Sequence, residues 1–204
     1  ILMTLTCQAS TPAWACAVGA GAGYASTALW FLVLVPQLYH NYLRKSTRGL
    51  SIWWALANFT ASLVNVFFVF RLQLPLYTKI MAVYMPILEC AVLGQFWWYR
   101  SGTPSVWVGG TAISVWFVLV FVQSAFPAWT NDMQWIATVL WCIETFPQLW
   151  LNATLSESTG QAIGTVAITV LGKTTDMLAA FLVAMPLQVR VLCFFSTATA
   201  YANA

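Results

Sequence analysis

Seven times along this chain an apolar stretch runs about as far as a bilayer is thick, and turn residues or charge separate one stretch from the next. A hydrocarbon core of about 30 Å asks for about 20 apolar residues per helix. Spans are predicted near residues 14–39, 51–70, 76–99, 105–125, 133–151, 161–183 and 187–204. The breaks are Arg44-Lys45-Ser46-Thr47-Arg48-Gly49, residues 71–75, Arg100-Ser101-Gly102-Thr103-Pro104, residues 127–132, residues 156–160 and Met185-Pro186. Pro186 alone divides the last two spans. Only 6% of the residues are charged and 61% are hydrophobic, whereas a soluble domain carries about 25% charged residues. Backbone polar groups find no water inside lipid, so a chain of this kind spans as helices. The expected fold class is an all-α integral membrane protein whose principal partner is the lipid bilayer.

The same scarcity of charge excludes several functions. Eight basic and five acidic residues are too few for a nucleic-acid surface. The five cysteines, Cys7, Cys16, Cys90, Cys142 and Cys193, show neither a CxxC spacing nor a histidine cluster, which argues against a zinc or redox site. They read as small buried apolar side chains, with a Cys7–Cys16 disulfide left open if the N-terminus faces an oxidising lumen. No nucleophile–base pair, nucleotide loop or metal motif supports an enzyme, and no cofactor is expected. Loop charges give the orientation: with the N-terminus outside or lumenal, Arg44, Lys45, Arg48 and Arg100 are cytosolic, against Arg71, Lys79 and Arg190 on the other side. The C-terminus is then cytosolic.

Sliding the sequence by 111 residues aligns its two halves without a gap. Leu29, Trp30, Pro36, Gln37, Leu38 and Asn41 fall on Leu140, Trp141, Pro147, Gln148, Leu149 and Asn152. Gly49 falls on Gly160, Pro75-Leu76 on Pro186-Leu187, Lys79 on Arg190 and Asn65 on Asp176. From Thr27 to Ala82 there are 12 identities in 56 positions, about two to three times what this composition gives by chance. Each copy holds three spans, and one unpaired span lies between them. An odd unit plus an odd linker returns the second copy to the orientation of the first, so the repeats are parallel about an axis along the membrane normal.

Pro36-Gln37 followed by Asn41, then Lys45-Ser46-Thr47-Arg48-Gly49-Leu50-Ser51, resembles the PQ-loop family of membrane transporters. That family includes cystinosin and the lysosomal and vacuolar cationic amino acid exporters, with the SWEET sugar transporters as more distant relatives. The second copy keeps Pro147, Gln148 and Asn152 with Ser158-Thr159-Gly160, and loses the basic pair. The run from Asn65 to Arg71, then Leu74-Pro75, Tyr84 and residues 93–100, looks most like the amino acid exporters. A departure is Ser62, which stands where those exporters usually carry an aspartate. The resemblance implies seven transmembrane helices in a 3+1+3 arrangement: a first repeat at 14–100, a linker helix at 105–125 and a second repeat at 133–204. It implies a secondary transporter that moves a small polar solute by alternating access, an amino acid coupled to protons, in an organelle membrane of the lysosomal or vacuolar kind rather than the plasma membrane. The alternatives are a SWEET-like sugar facilitator and a non-transporting PQ-loop protein, either a sorting receptor or a subunit of a larger membrane complex. An oligomer is left open.

Within that frame the prolines are the expected hinges. Pro36 and Pro147 each remove an intrahelical hydrogen bond near the cytosolic end of a span, and Gln37 and Gln148 are placed to supply amide donors to the freed carbonyls. The bland reading is a fixed kink. Glu89, Glu144, Lys173 and Asp176 lie at membrane depth, where each costs about 2.5–3.5 kcal/mol at a helix centre, so they should face a cavity or one another. Lys173 and Asp176 are three apart and can simply neutralise each other. Otherwise Lys173 turns to the membrane edge or to a separate partner, leaving Asp176 to exchange protons opposite Asn65. Glu89 is either a functional acid or a polar plug satisfied by Gln95 or a tyrosine. Trp30 and Trp141, equivalent in the two copies, are candidates to line the cavity, and Asn41 and Asn152 complete the expected solute or proton site. The remaining tryptophans and His40 read as boundary residues at the headgroups.

Overall fold

The computed structural model describes residue 7 and residues 11–99, 106–144, 146, 147, 150, 154 and 163–203. They form α1 (Ala13–Arg44), α2 (Ile52–Arg71), α3 (Leu76–Tyr99), α4 (Val106–Ala125), a 3-10 turn (Pro127–Trp129), α5 (Thr130–Ile143), α6 (Ile163–Leu182) and α7 (Leu187–Asn203). Beyond α5, Phe146, Pro147, Trp150 and Thr154 are also helical. Helices α1, α2 and α3, and α4 from Val108 to Ala125, are long and apolar enough to cross a membrane by length and composition. The chain is an all-helical, multi-pass membrane protein built on two repeats.

Local chemistry sets the helix ends. Lys45 closes α1 in the left-handed region at φ 50°, and Gly49, at φ 86°, takes the positive-φ corner of the turn closed by the Leu50 N–H on the Thr47 carbonyl. Ser51 then caps α2, its side chain accepting from the Trp54 N–H at 3.3 Å. Proline opens the third helix of each copy. The Pro75 carbonyl accepts from the N–H groups of Thr78 and Lys79, and the Pro186 carbonyl accepts from those of Val189 and Arg190.

The repeat is visible in the bounds themselves. Displacing residues 52–71 by 111 gives 163–182, the extent of α6, and displacing 76 by 111 gives 187, the start of α7. Packing follows the same symmetry. In the first copy α3 packs against both α1 and α2, and in the second α7 packs against both α5 and α6. The copies then join reciprocally, α1 against α6 and α2 against α5. The order α1–α3–α2–α5–α7–α6 therefore closes into a ring of six helices, with α4 attached outside it through α2.

Small residues let the ring close. A Cβ on Gly19 would stand 2.6 Å from the Cβ of Leu182, and one on Gly23 would meet the Tyr77 ring at the same distance. These two glycines, four apart on α1, allow α6 and α3 to approach closely. Phe117, Phe121 and Val118 of α4 point outward, as lipid-facing side chains do.

The N-terminal end carries a disulfide between Cys7 and Cys16, and Cys7 also forms an isolated backbone bridge with Val183 at the end of α6. This corrects the expectation that all five cysteines are small buried side chains. Cys193 is buried, Cys142 half-buried and Cys90 exposed.

Candidate functional site

Two adjoining cavities lie inside the ring, of about 60 and 80 Å³. They share Trp30, Asn58, Met85 and Glu144 as common wall. Glu89 and Thr169 line the first, and Ser62, Asn65, Trp141, Lys173 and Asp176 line the second. The structure therefore brings Glu89, Glu144, Lys173, Asp176, Asn65, Trp30 and Trp141 to one place, from helices α1, α2, α3, α5 and α6.

The repeat explains why polar atoms meet there. Asn58, Ser62 and Asn65 occupy positions i, i+4 and i+7 of α2, one face of the helix. Their equivalents on α6, displaced by 111, are Thr169, Lys173 and Asp176. Trp30 on α1 and Trp141 on α5 are likewise equivalent. Two similar polar stripes thus face each other across the cavities.

Their hydrogen bonding is not alike. Asp176 accepts from the Ser26 hydroxyl at Oδ1 and from the Trp30 indole N–H at Oδ2, 2.6 Å away. Asn65 accepts from the Gln134 amide at 3.1 Å. The partner of Lys173 is Glu144 rather than Asp176: its Nζ lies 3.5 Å from Glu144 Oε1 and 4.9 Å from the centroid of the Trp30 ring. Both members of the pair are 7% exposed. Lys173 and Asp176, three residues apart in sequence, thus share Trp30 as a neighbour but differ in polar partner, Glu144 for the lysine and Ser26 for the aspartate.

Glu89 stands apart from the other two cavity carboxylates. It is 4% exposed, and neither of its oxygens has a hydrogen-bond partner among the described residues. The Ser62 hydroxyl lies beside it without a hydrogen bond of good geometry between them. Gln95, one of the expected plug partners, is committed elsewhere. Its amide donates to the Leu38 carbonyl at 2.9 Å and its oxygen accepts from Asn41 at 2.8 Å.

Of the expected hinge residues, Pro36, Gln37 and Pro147 lie outside the two cavities. Helix α1 continues through Pro36, and Gln37 donates to Asn41 at 2.9 Å. Gln37, Asn41 and Gln95 thus form a polar chain that ties the end of α1 to α3. Asn41 is buried in this chain and lines neither cavity, so it is not brought to the expected solute site. Pro147 borders an outer groove with Trp53, Phe146 and Trp150, and Pro36 touches Gly164. Positions 53 and 164 are repeat equivalents, so each proline lies near the start of the second helix of the other copy. Gln148 and Asn152 lie outside the described residues.

The PQ loop repeat matches residues 18–78 and 131–189, together more than half of the chain. This chain belongs to the PQ-loop repeat family. Two curated members of similar sequence come from Saccharomyces cerevisiae. The vacuolar lysine transporter YPQ1 is 32% identical over 79 residues, 39% of this chain and 26% of the relative. The vacuolar histidine transporter YPQ3 is 31% identical over 85 residues, 42% of this chain and 29% of the relative. The chain thus spans less than a third of the length of these PQ-loop relatives. Sequence reasoning named the charged residues of the cavity, Asn65 and the two tryptophans, but missed Asn58 and Thr169 of its wall and Ser26, whose hydroxyl holds Asp176. The only sequence signal for Ser26 was its place one turn before Trp30, on the same face of α1.

Proposed function

We propose that the chain is a secondary transporter that carries a small cationic amino acid across an organelle membrane by alternating access, coupled to protons. The observation that carries this reading is the charge of the cavity. Three carboxylates and one amine converge between two parallel repeats, and Glu89 has no counter-charge or hydrogen bond of good geometry among the described residues. Formal charges of three minus and one plus favour a solute with net positive charge, and an amine on that solute supplies what Glu89 lacks. Asp176, held by Ser26 and Trp30 opposite the neutral Asn65, is the proposed proton-exchanging acid. The similar sequences of vacuolar lysine and histidine transporters support the same solute class and a vacuolar type of membrane.

Pro36 and Pro147 serve as the hinges, one at the end of each first helix, where opening of the ring on the cytosolic side needs a compliant joint. The N-terminal end lies on the lumenal side, a placement supported by the Cys7–Cys16 disulfide, which needs an oxidising compartment. The first repeat at 14–100, the linker at 105–125 and the second repeat at 133–204 move as the units.

Proteoliposomes with an imposed pH gradient test the proposal. Lysine, arginine or histidine should accumulate and dissipate the gradient, and neutral amino acids and sugars should not. Movement of a sugar independent of the gradient would replace the reading with a facilitator. No movement of any solute, with stable co-purification of other membrane proteins, would replace it with a receptor or subunit role.

A further inference from the structure

Lys173 occupies its cavity in an unusual way. It rises from α6, crosses to Glu144 on α5, and so links two helices that are not packed neighbours in the ring. Its ammonium lies between a carboxylate and the face of an indole, the two groups that recognise an alkylammonium ion in any solute. The 3.5 Å contact is longer than the roughly 2.7–2.9 Å of a tight charge-assisted hydrogen bond. The Asn58 side chain lies beside the Glu144 carboxylate, yet Oε2 has no hydrogen bond of good geometry among the described residues. The repeat equivalent of Lys173 is Ser62, so the fold builds the opposite wall without a lysine at this position.

We infer that Glu144 and the Trp30 ring form a subsite for the alkylammonium end of a cationic solute, and that Lys173 is its resident occupant. The lysine is a tethered copy of the ligand. A bound solute takes its place one cation for another, so the buried carboxylate is never left without a counter-charge. A neutral solute cannot make that exchange. Lys173 is then a specificity-determining residue: it raises the concentration at which cations enter and keeps the subsite closed to everything else. The word solute here rests on the transporter reading, whereas the exchange itself is a binding property.

The test uses the purified full chain in lipid nanodiscs, with n-butylammonium as the probe and thermal stabilisation and equilibrium binding as readouts. In Lys173→Ser, which copies the residue of the other wall, n-butylammonium should bind at least tenfold more tightly than to the wild type. n-Butanol, of similar shape and no charge, should not bind. Adding Glu144→Gln to Lys173→Ser should abolish the gain, and Lys173→Arg, which restores a tethered cation, should return wild-type weakness. If Lys173→Ser is too unstable to purify alone, n-butylammonium present throughout should recover folded protein. Failure to recover it, equal binding to wild type and Lys173→Ser, or binding that survives Glu144→Gln would overturn the inference. Because the readout is binding, a wild-type protein that transports nothing would remove the transporter reading and leave this result standing.

Discussion

The α2 wall and the α6 wall of the cavity present the same three helical positions, 58, 62 and 65 on one side and 169, 173 and 176 on the other. The first set reads Asn, Ser, Asn and the second Thr, Lys, Asp. Backbone and packing are alike, since α2 lies on α5 as α6 lies on α1. What differs is where charge sits. The neutral wall shows that the ring closes without ionised groups at these positions, so the lysine and aspartate of the other wall are not required by the architecture. Groups that cost about 2.5–3.5 kcal/mol each at a helix centre, and that the fold can do without, point to function.

Stripping single charges from the cavity should separate structural groups from functional ones, read as stability against transport. Glu144→Gln leaves Lys173 buried without its counter-charge and should destabilise the protein by about 3–5 kcal/mol. Adding Lys173→Met should recover most of that loss, and thermal unfolding of the four proteins of the cycle measures the coupling. Glu89→Gln is the same chemical change in the same cavity with the opposite outcome expected. Glu89 has no charged partner among the described residues to orphan, so stability should stay within about 1 kcal/mol or rise, while uptake of a cationic amino acid falls at least tenfold. A large stability loss in Glu89→Gln would mean that it has a counter-charge of its own and is structural.

Hinge substitutions come next in size. Pro36→Ala or Pro147→Ala restores a helical N–H and should leave membrane insertion intact, with local helix stability rising by up to about 3 kcal/mol. Turnover should fall in both variants if both ends of the ring must open. Loss in one alone would assign the moving joint to that copy, which the unequal loops invite: Lys45 and Arg48 of the first become Ser156 and Thr159 in the second.

Much of this was written in the sequence, and the reason is punctuation. Proline and glycine at a spacing of 111 marked where helices begin and turn, so the helix bounds of the second copy follow from those of the first. The order of helices around the ring was not legible. A lipid-facing helix is apolar on its outer side as well as its inner one, so its periodicity does not say which side meets a neighbour. For that reason Lys173 could be paired on the sequence with Asp176, close by on one helix, whereas Glu144 could not be named as its partner, since that depends on which helices face each other. Trp30 and Asp176, in different copies, meet only because α1 packs on α6. The Cys7–Cys16 disulfide was only an open alternative in the sequence, since in an apolar chain a cysteine that pairs looks like any small buried residue.

Asp176 itself should give an intermediate effect. Asp176→Asn keeps one acceptor for Ser26 or Trp30 and weakens the other contact, a loss of about 1–3 kcal/mol. Accumulation driven by a pH gradient should disappear, while exchange of labelled for unlabelled solute persists. The reciprocal variant, Asn65→Asp with Asp176→Asn, moves the acid to the other wall. If proton exchange needs only a carboxylate in the cavity, pH-driven uptake returns; if it needs Ser26 and Trp30, it does not.

The smallest expected effect tests why Trp30 and Trp141 behave differently. Trp30 reaches Asp176 because Gly172 has no side chain: a Cβ there would lie 3.3 Å from Trp30 Cε2 and 3.4 Å from its Nε1. The equivalent of Gly172 is Ala61, fully buried beside Ala137, with Trp141 packed against the same cluster. The neutral wall thus carries the methyl group that the charged wall omits. Gly172→Ala makes the two walls alike at this position. Alanine favours a helix interior over glycine by about 1 kcal/mol, but the new methyl must push the indole back by a few tenths of an ångström and lengthen its 2.6 Å bond to Asp176. These contributions oppose each other, so net stability should change by less than about 1 kcal/mol. Transport should respond more than stability does, with a severalfold fall in pH-driven uptake and a shifted indole emission in a variant that keeps Trp30 as its reporter. Ala61→Gly, the mirror change, should lower stability by about 1 kcal/mol without altering the pH dependence, because the equivalent of Asp176 on that wall is the neutral Asn65. Equal transport effects from the two substitutions would show that the close approach of Trp30 is packing alone.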